Sequence, residues 1–228
     1  VGKRQEARER IEAAIVEIGR RHLVTEGAAG LSLRGIAREL GMVSSAVYRY
    51  VANRDDLLTL LVVDAYSELA DAVDRAAADV PVESDWRARI MAMARAVRRW
   101  AVEQPARWAL LYGSPVPGYH APAERTVGPG TRVIGALFSA VADGIAAGAV
   151  GESGDVVVQP LSADFDRVRA EFGFPGGDSA VAKCFLMWAA LVGAVSMEVF
   201  GQYGADTLTD PGQVFEVQIG LLIEALSR

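Results

Sequence analysis

The sequence has one cysteine, Cys184, and two histidines, His22 and His120, among 228 residues. One thiol excludes an internal disulfide framework, and so few sulfur and imidazole ligands argue against a zinc site. The longest strongly apolar stretch, Phe185 to Val195, falls short of the roughly 20 residues that a membrane-crossing helix needs. No apolar run follows the charged start, so no signal peptide is expected. There is no Gly-x-x-x-x-Gly-Lys phosphate loop, no Gly-x-Ser-x-Gly elbow and no metal-spaced histidine pair. Asp164 and Asp166 stand two apart on a predicted helix and point to different sides. Gly173-Phe174-Pro175-Gly176-Gly177 follows no strand and reads as a turn, not a phosphate cradle. An enzyme is therefore not expected, and neither a cofactor nor a metal. Strand-like alternation is confined to Val156–Val158, and repeats and low-complexity tracts are missing.

Apolar residues make up 51% of the chain, enough to bury a sizeable core, and a soluble cytosolic protein is expected. The net charge of -6 is unevenly spread. Residues 1–54 hold ten Arg or Lys against six Asp or Glu, whereas the remainder holds thirteen against twenty-three. A basic head on an acidic body suggests that only the head meets a polyanion. Ile11, Ala14, Ile15 and Ile18 keep helical spacing; His22 continues their face as a core histidine, and Gly27 is a plausible stop. Ser32 caps a short second helix with Leu33, Ile36, Ala37 and Leu40 turned inward, and Gly41 breaks it. A third helix runs from about Ser44 to Val51. Asn53 and Asp56 open a long fourth helix in the manner of a capping box, with Pro81 as its outer limit. Beyond it, Ser84 or Asp85 starts a helix carrying Trp86, Ile90, Met93, Val97 and Trp100, and Pro105 starts another. Residues 113–130 hold four of the nine prolines and read as a long loop. Helices follow at about 131–149, 161–172, 179–200 and from Asp210-Pro211 to Leu226. The fold is expected to be all-α: a three-helix head at 1–54, joined by a long helix to a helical domain at 55–228.

Residues 31–58, LSLRGIARELGMVSSAVYRYVANRDDLL, place two short helices about a glycine turn, the arrangement of a helix-turn-helix. The major groove of B-DNA, about 12 Å wide, accepts one such helix. Ser44, Ser45 and Arg49 are placed to reach base edges. The Tyr48 and Tyr50 hydroxyls suit phosphate oxygens, and Arg54 adds a cation near the same backbone. The motif resembles the TetR family of bacterial transcriptional regulators, through GLSLRGIAREL at 30–40, Gly41, Ala46 to Val51, and Asn53-Arg54-Asp55-Asp56-Leu57. The resemblance implies base-facing roles for Arg34, Ser44, Ser45 and Arg49, and phosphate-facing roles for Ser32, Tyr48, Tyr50 and Arg54. Two residues depart from the family pattern: Val43, where a polar or acidic helix opener is frequent, and Gly35, where a charge is frequent. Gly35 weakens its helix by roughly 1 kcal/mol against alanine and is read as room for closer approach to DNA.

Leu110 to Tyr119 and Trp188 to Glu198 resemble the so-called WHG type of C-terminal domain in the same family, with Val192 in place of the histidine. That likeness implies a domain that binds an effector and dimerises. Trp108, Tyr112, Tyr119 and His120 flank the proline-rich loop and are the candidate ligand contacts, within a wider set of aromatic and methionine residues that includes Met93, Met187 and Trp188. Cys184 lies in an apolar helix and reads as a buried, inert thiol. The helices near 179–200 and 211–226 carry more apolar surface than one protomer needs, and Gly193 and Ala194 allow close packing, so a homodimer is expected. Together these features suggest a repressor released from a palindromic operator by a small apolar ligand, with no membrane partner. An activator of the same fold, or a helical small-molecule binder whose head is vestigial, remains open.

Overall fold

A computed structural model of the chain describes residues 2–81, 85–151 and 157–227, and every regular element among them is a helix. In order they are α1 (Lys3–Gly30), α2 (Leu33–Glu39), α3 (Ser44–Val47), α4 (Arg54–Ala78), α5 (Trp86–Glu103), α6 (Pro105–Tyr112), α7 (Ala123–Ala146), α8 (Leu161–Phe172), α9 (Asp178–Val199) and α10 (Pro211–Leu226). The chain forms two compact units, Val1–Glu68 with Gln104–Gly130, and Leu69–Glu103 with Thr131–Arg228. These units do not follow a boundary at residue 54. The segment 104–130 clusters with the first helices because Ala106, Leu110, Val116 and Tyr119 pack on their core.

The first unit is built around Ile15, Ile18, Ile36, Val47, Val51, Leu57, Leu58 and Leu61, each 6% exposed or less. Gly27 breaks α1 with φ 68 and ψ 175, a conformation that side chains disfavour, and one further turn carries the helix to Gly30. Gly41, at φ 65, turns the chain between α2 and α3, and the Met42 amide donates to the Ala37 carbonyl at 2.9 Å. The Asp56 amide donates to Asn53 Oδ1 at 2.9 Å, and Asp56 Oδ2 accepts from the Ala52 amide at 3.0 Å. This is the expected reciprocal cap of α4, shifted by one residue on its return arm.

Two expectations are corrected here. The third helix is regular only over Ser44–Val47, and residues 48–50 continue as a turn. The proline-rich stretch is not a loop throughout, because residues 123–130 form the first turns of α7, with Pro129 inside the helix. Thr126 is buried and donates to the Pro122 carbonyl at 3.0 Å, and Arg125 donates to Asp56 at 2.5 Å. The Arg125–Asp56 pair and the burial of Thr126 are tertiary anchors that override the poor helix propensity of proline and glycine. Ser84 and Val156 lie outside the described residues, whereas Asp85 does open α5, its carboxylate accepting from the Arg87 amide.

In the second unit α9 packs against α5, α8 and α10, and α10 also packs against α5. Trp86, Ile90, Met93, Val97 and Trp100 form the buried face of α5, as their spacing predicts. Phe138 stacks on Phe172 at 5.0 Å and meets Phe174 edge-on at 4.9 Å. By length and composition α9 is the one helix among the described residues that is apolar enough to cross a membrane. It is nevertheless a core helix, burying Val181, Cys184, Met187, Leu191 and Val195.

Candidate nucleic-acid interface

Ser32 adopts an extended backbone before α2, and its hydroxyl accepts from the Gly35 amide at 3.3 Å. The accepting role leaves its O–H free to donate to a phosphate. Leu33, Ile36 and Ala37 hold α2 on the core, so Arg34 is left exposed. Buried Val47 fixes α3 from beneath, with Ser45, Tyr48 and Arg49 exposed and Ser44 half-buried. Tyr50 is half-buried, and the Arg8 guanidinium sits 5.7 Å from its ring centre. Arg4, Arg8, Arg49 and Tyr50 together line an open basic recess of about 600 Å³. The sequence hints at this only through the basic balance of residues 1–54, since nothing local reveals that α1 starts beside Arg49.

Arg54 donates to the Ala28 carbonyl at 2.8 Å and the Ala29 carbonyl at 3.3 Å. It thus closes the end of α1, where helix carbonyls lack intrahelical partners. Gly35 faces the protein: a side-chain carbon there would stand 3.2 Å from His22 Cε1. His22 is 7% exposed and its Nε2 meets the Glu39 carboxylate, while Nδ1 has no hydrogen-bond partner. The hydrogen bond from His22, then that from Arg21, holds the Glu39 carboxyl below the usual carboxylate range. This pairing ties the end of α2 to α1.

The same unit contains a charge cluster that sequence spacing did not reveal. The Arg107 side chain, 4% exposed, donates to Asp64 at 3.0 Å and lies 2.7 Å from Glu68. Arg20 makes a two-pronged contact with Asp64 at 2.6 and 2.8 Å and reaches Glu68 at 3.2 Å. Three helices, α1, α4 and α6, meet at these four side chains.

Among the candidate ligand residues, Trp108 is fully buried and its ring lies 4.4 Å from that of Tyr112. Tyr66 meets Tyr112 edge-on at 6.2 Å. Burial, and secondarily Tyr66, raises the Tyr112 hydroxyl above its ordinary value. The Tyr119 hydroxyl is 3.0 Å from the Thr59 hydroxyl. His120 is exposed. In the second unit, Ile90, Met93, Val97, Leu137, Met187 and Trp188 are among the residues enclosing a wholly apolar cavity of about 20 Å³. Met93, Met187 and Trp188 belong to the aromatic and methionine set that the sequence suggests; the aliphatic lining residues are indistinguishable from core by spacing alone.

With this geometry established, comparison with known proteins gives the wider setting. Residues 90–222 match the family described as the tetracyclin repressor-like C-terminal domain. The chain is 66% identical over its whole length to helix-turn-helix-type transcriptional regulators of Mycobacterium tuberculosis and Mycobacterium bovis, covering 97% of each. The chain belongs to the TetR family. Among solved structures of this fold, the regulatory protein SCO4313 superimposes with a TM-score of 0.78 at 30% identity, over 98% of this chain and 100% of that one. The regulator FadR of Bacillus subtilis, solved with stearoyl-CoA, superimposes with a TM-score of 0.64 at 11% identity, over 94% and 97% of the respective chains, a likeness of fold alone. The TetR-family chain is a DNA-binding helix-turn-helix transcriptional regulator, not an enzyme.

Proposed function

We propose that this TetR-family regulator is a homodimeric repressor, released from a near-palindromic operator by a small apolar effector. The observation that carries the DNA-reading assignment is the two-sidedness of the segment 44–51, α3 and the turn that follows it. Val47 and Val51 lie in the core at 0% exposure, while Ser45, Tyr48 and Arg49 are exposed to solvent. We assign Arg34, Ser44, Ser45 and Arg49 to base edges, and Ser32, Tyr48, Tyr50 and Arg54 to phosphates. Arg54 then bridges the end of α1 and the nucleic-acid backbone. Selection of genomic fragments by the purified protein at physiological salt tests the assignment. Enrichment of a short inverted repeat supports it; recovery without a shared sequence defeats it. Arg54→Ala should weaken binding to every sequence and reduce the slope of log K against log salt by about one unit. Ser45→Ala should instead change the ranking of operator variants.

Dimerisation is proposed through α9 and α10. Phe185, Leu186, Met197, Val217 and Leu221 are 38–63% exposed, a concentration of large apolar groups on two helices that favours a partner. A twofold dimer would place its heads on half-sites one or more helical turns, roughly 34–36 Å, apart. Leu186→Glu combined with Leu221→Glu should yield a folded monomer in sedimentation; an intact dimer would remove these helices from the interface.

The effector site is proposed at the cavity between α5, α7 and α9, whose lining is entirely apolar. A ligand of ordinary size needs a pocket of several hundred Å³, so its binding has to part these helices. The effector must favour that parted state, since equal affinity for both states shifts nothing. Trp108, Tyr112, Tyr119 and His120 are proposed as a second effector contact in the first unit. Quenching of tryptophan emission by a candidate effector should vanish in Trp188→Leu if the first site is used, and in Trp108→Leu if the second is.

A further inference from the structure

We propose that Val43 reads the methyl group of a thymine in the major groove and thereby fixes one base pair of each half-site. The inference rests on the reading of α3 as the base-contacting helix and extends it to a residue outside the polar set. Position 43 enters α3 with φ -69 and ψ 141, the extended backbone of a capping residue. At the corresponding positions of three other helices, Ser32, Asn53 and Asp210 accept hydrogen bonds from amides of the first turn. Val43 makes no such bond. Serine, threonine, asparagine or aspartate at such a position ordinarily stabilises a helix, and valine does not.

Burial does not offset this lost stabilisation. Val43 is 71% exposed, the most of any large apolar side chain among the described residues. Its carbonyl accepts from the Ala46 amide at 2.9 Å, so the turn is properly formed. What remains without a role inside the protein is the branched apolar side chain itself. It directly precedes Ser44 and Ser45, with Tyr48 and Arg49 beyond. Those neighbours offer hydroxyl, phenol and guanidinium groups to a duplex, and Val43 offers only two methyl groups. Thymine alone among the four bases presents a methyl group in the major groove, where apolar side chains recognise it. Contact between the two removes both from water and discriminates against cytosine, which lacks the methyl. Serine at position 43 would restore the cap and lose this contact.

The test uses the full-length protein and the sequence that it selects. Each thymine of that sequence is replaced singly by deoxyuridine, which removes the 5-methyl group and keeps the pairing. One thymine per half-site should lower affinity about fourfold when replaced, as expected for losing one buried methyl-sized group. The Val43→Ser variant should bind the thymine and deoxyuridine duplexes equally. Because this substitution favours the start of α3, its circular dichroism and unfolding midpoint should be no worse than those of the parent. Uniform tolerance of deoxyuridine by the parent overturns the inference, as does an unchanged thymine preference in Val43→Ser. Failure of the parent to select any sequence overturns the base-reading role of α3, and this inference with it.

Discussion

Arg107 shows at the scale of one residue what spacing conceals. In the sequence it is simply the third residue of a helix opened by Pro105; in the fold it is buried against Asp64 and Glu68, partners about forty positions away. Removing one member of a buried ion pair strands the others. Arg107→Met should therefore lower stability by about 2–4 kcal/mol, below the full cost of a completely buried pair because the two carboxylates keep some water contact. A urea unfolding midpoint unchanged within error would refute the cluster's structural role. Capping residues were legible without coordinates, because Ser32, Asn53 and Asp210 act on amides two or three positions away. Glu39 was not, since its meaning depends on His22 of another helix. Its carboxyl is lowered in the fold, so its stabilising contribution is complete above about pH 4.3, the unfolded glutamate value. That contribution is lost as pH falls through the lower folded value. Glu39→Gln should flatten the acid limb of a stability-against-pH curve; an unaltered limb would show that the His22 pairing adds nothing. Cys184 is fully buried, and burial pushes its thiol up to about 12. A maleimide reagent at neutral pH should label it only on unfolding.

At the scale of the element, helix existence was readable and helix extent was not. The α5 stripe from Trp86 to Trp100 and the α8 span follow from periodicity alone. The start of α7 defied it, because local proline and glycine signals were outweighed by Arg125 and Thr126, each held by a partner or a carbonyl. Gly35 was read for its outer face, yet its inner face meets His22. Gly144 gives the sharper example. A side-chain carbon on it would lie 2.8 Å from the Trp86 ring and from Val150. Gly144→Ala gains helix propensity of about 1 kcal/mol, but forcing the indole aside typically costs 1–3 kcal/mol. Net destabilisation is expected, read as a lower thermal midpoint; a raised midpoint would mean that the ring has room to move.

For the whole molecule, composition and the basic head were sufficient to suggest a nucleic-acid reader, and family membership agrees with that. The way the chain divides was not legible, because sequence reading favours contiguous segments. Arg107, Leu110, Val116 and Tyr119 belong to the body that also contains α2 and α3, though they lie some fifty residues or more beyond Val51. A fragment ending at residue 80 should accordingly bind a fluorescent apolar dye and melt without a cooperative transition, while the intact protein melts cooperatively. Cooperative melting of the fragment would show that 104–130 is dispensable to the head. This discontinuity bears on how such regulators can be recombined. A chimera spliced just after the recognition helix would bring the DNA preference of one parent without the part of the same body encoded downstream. The transferable cassette comprises two stretches of gene, and a successful exchange of specificity would have to graft both or redesign the seam where they meet.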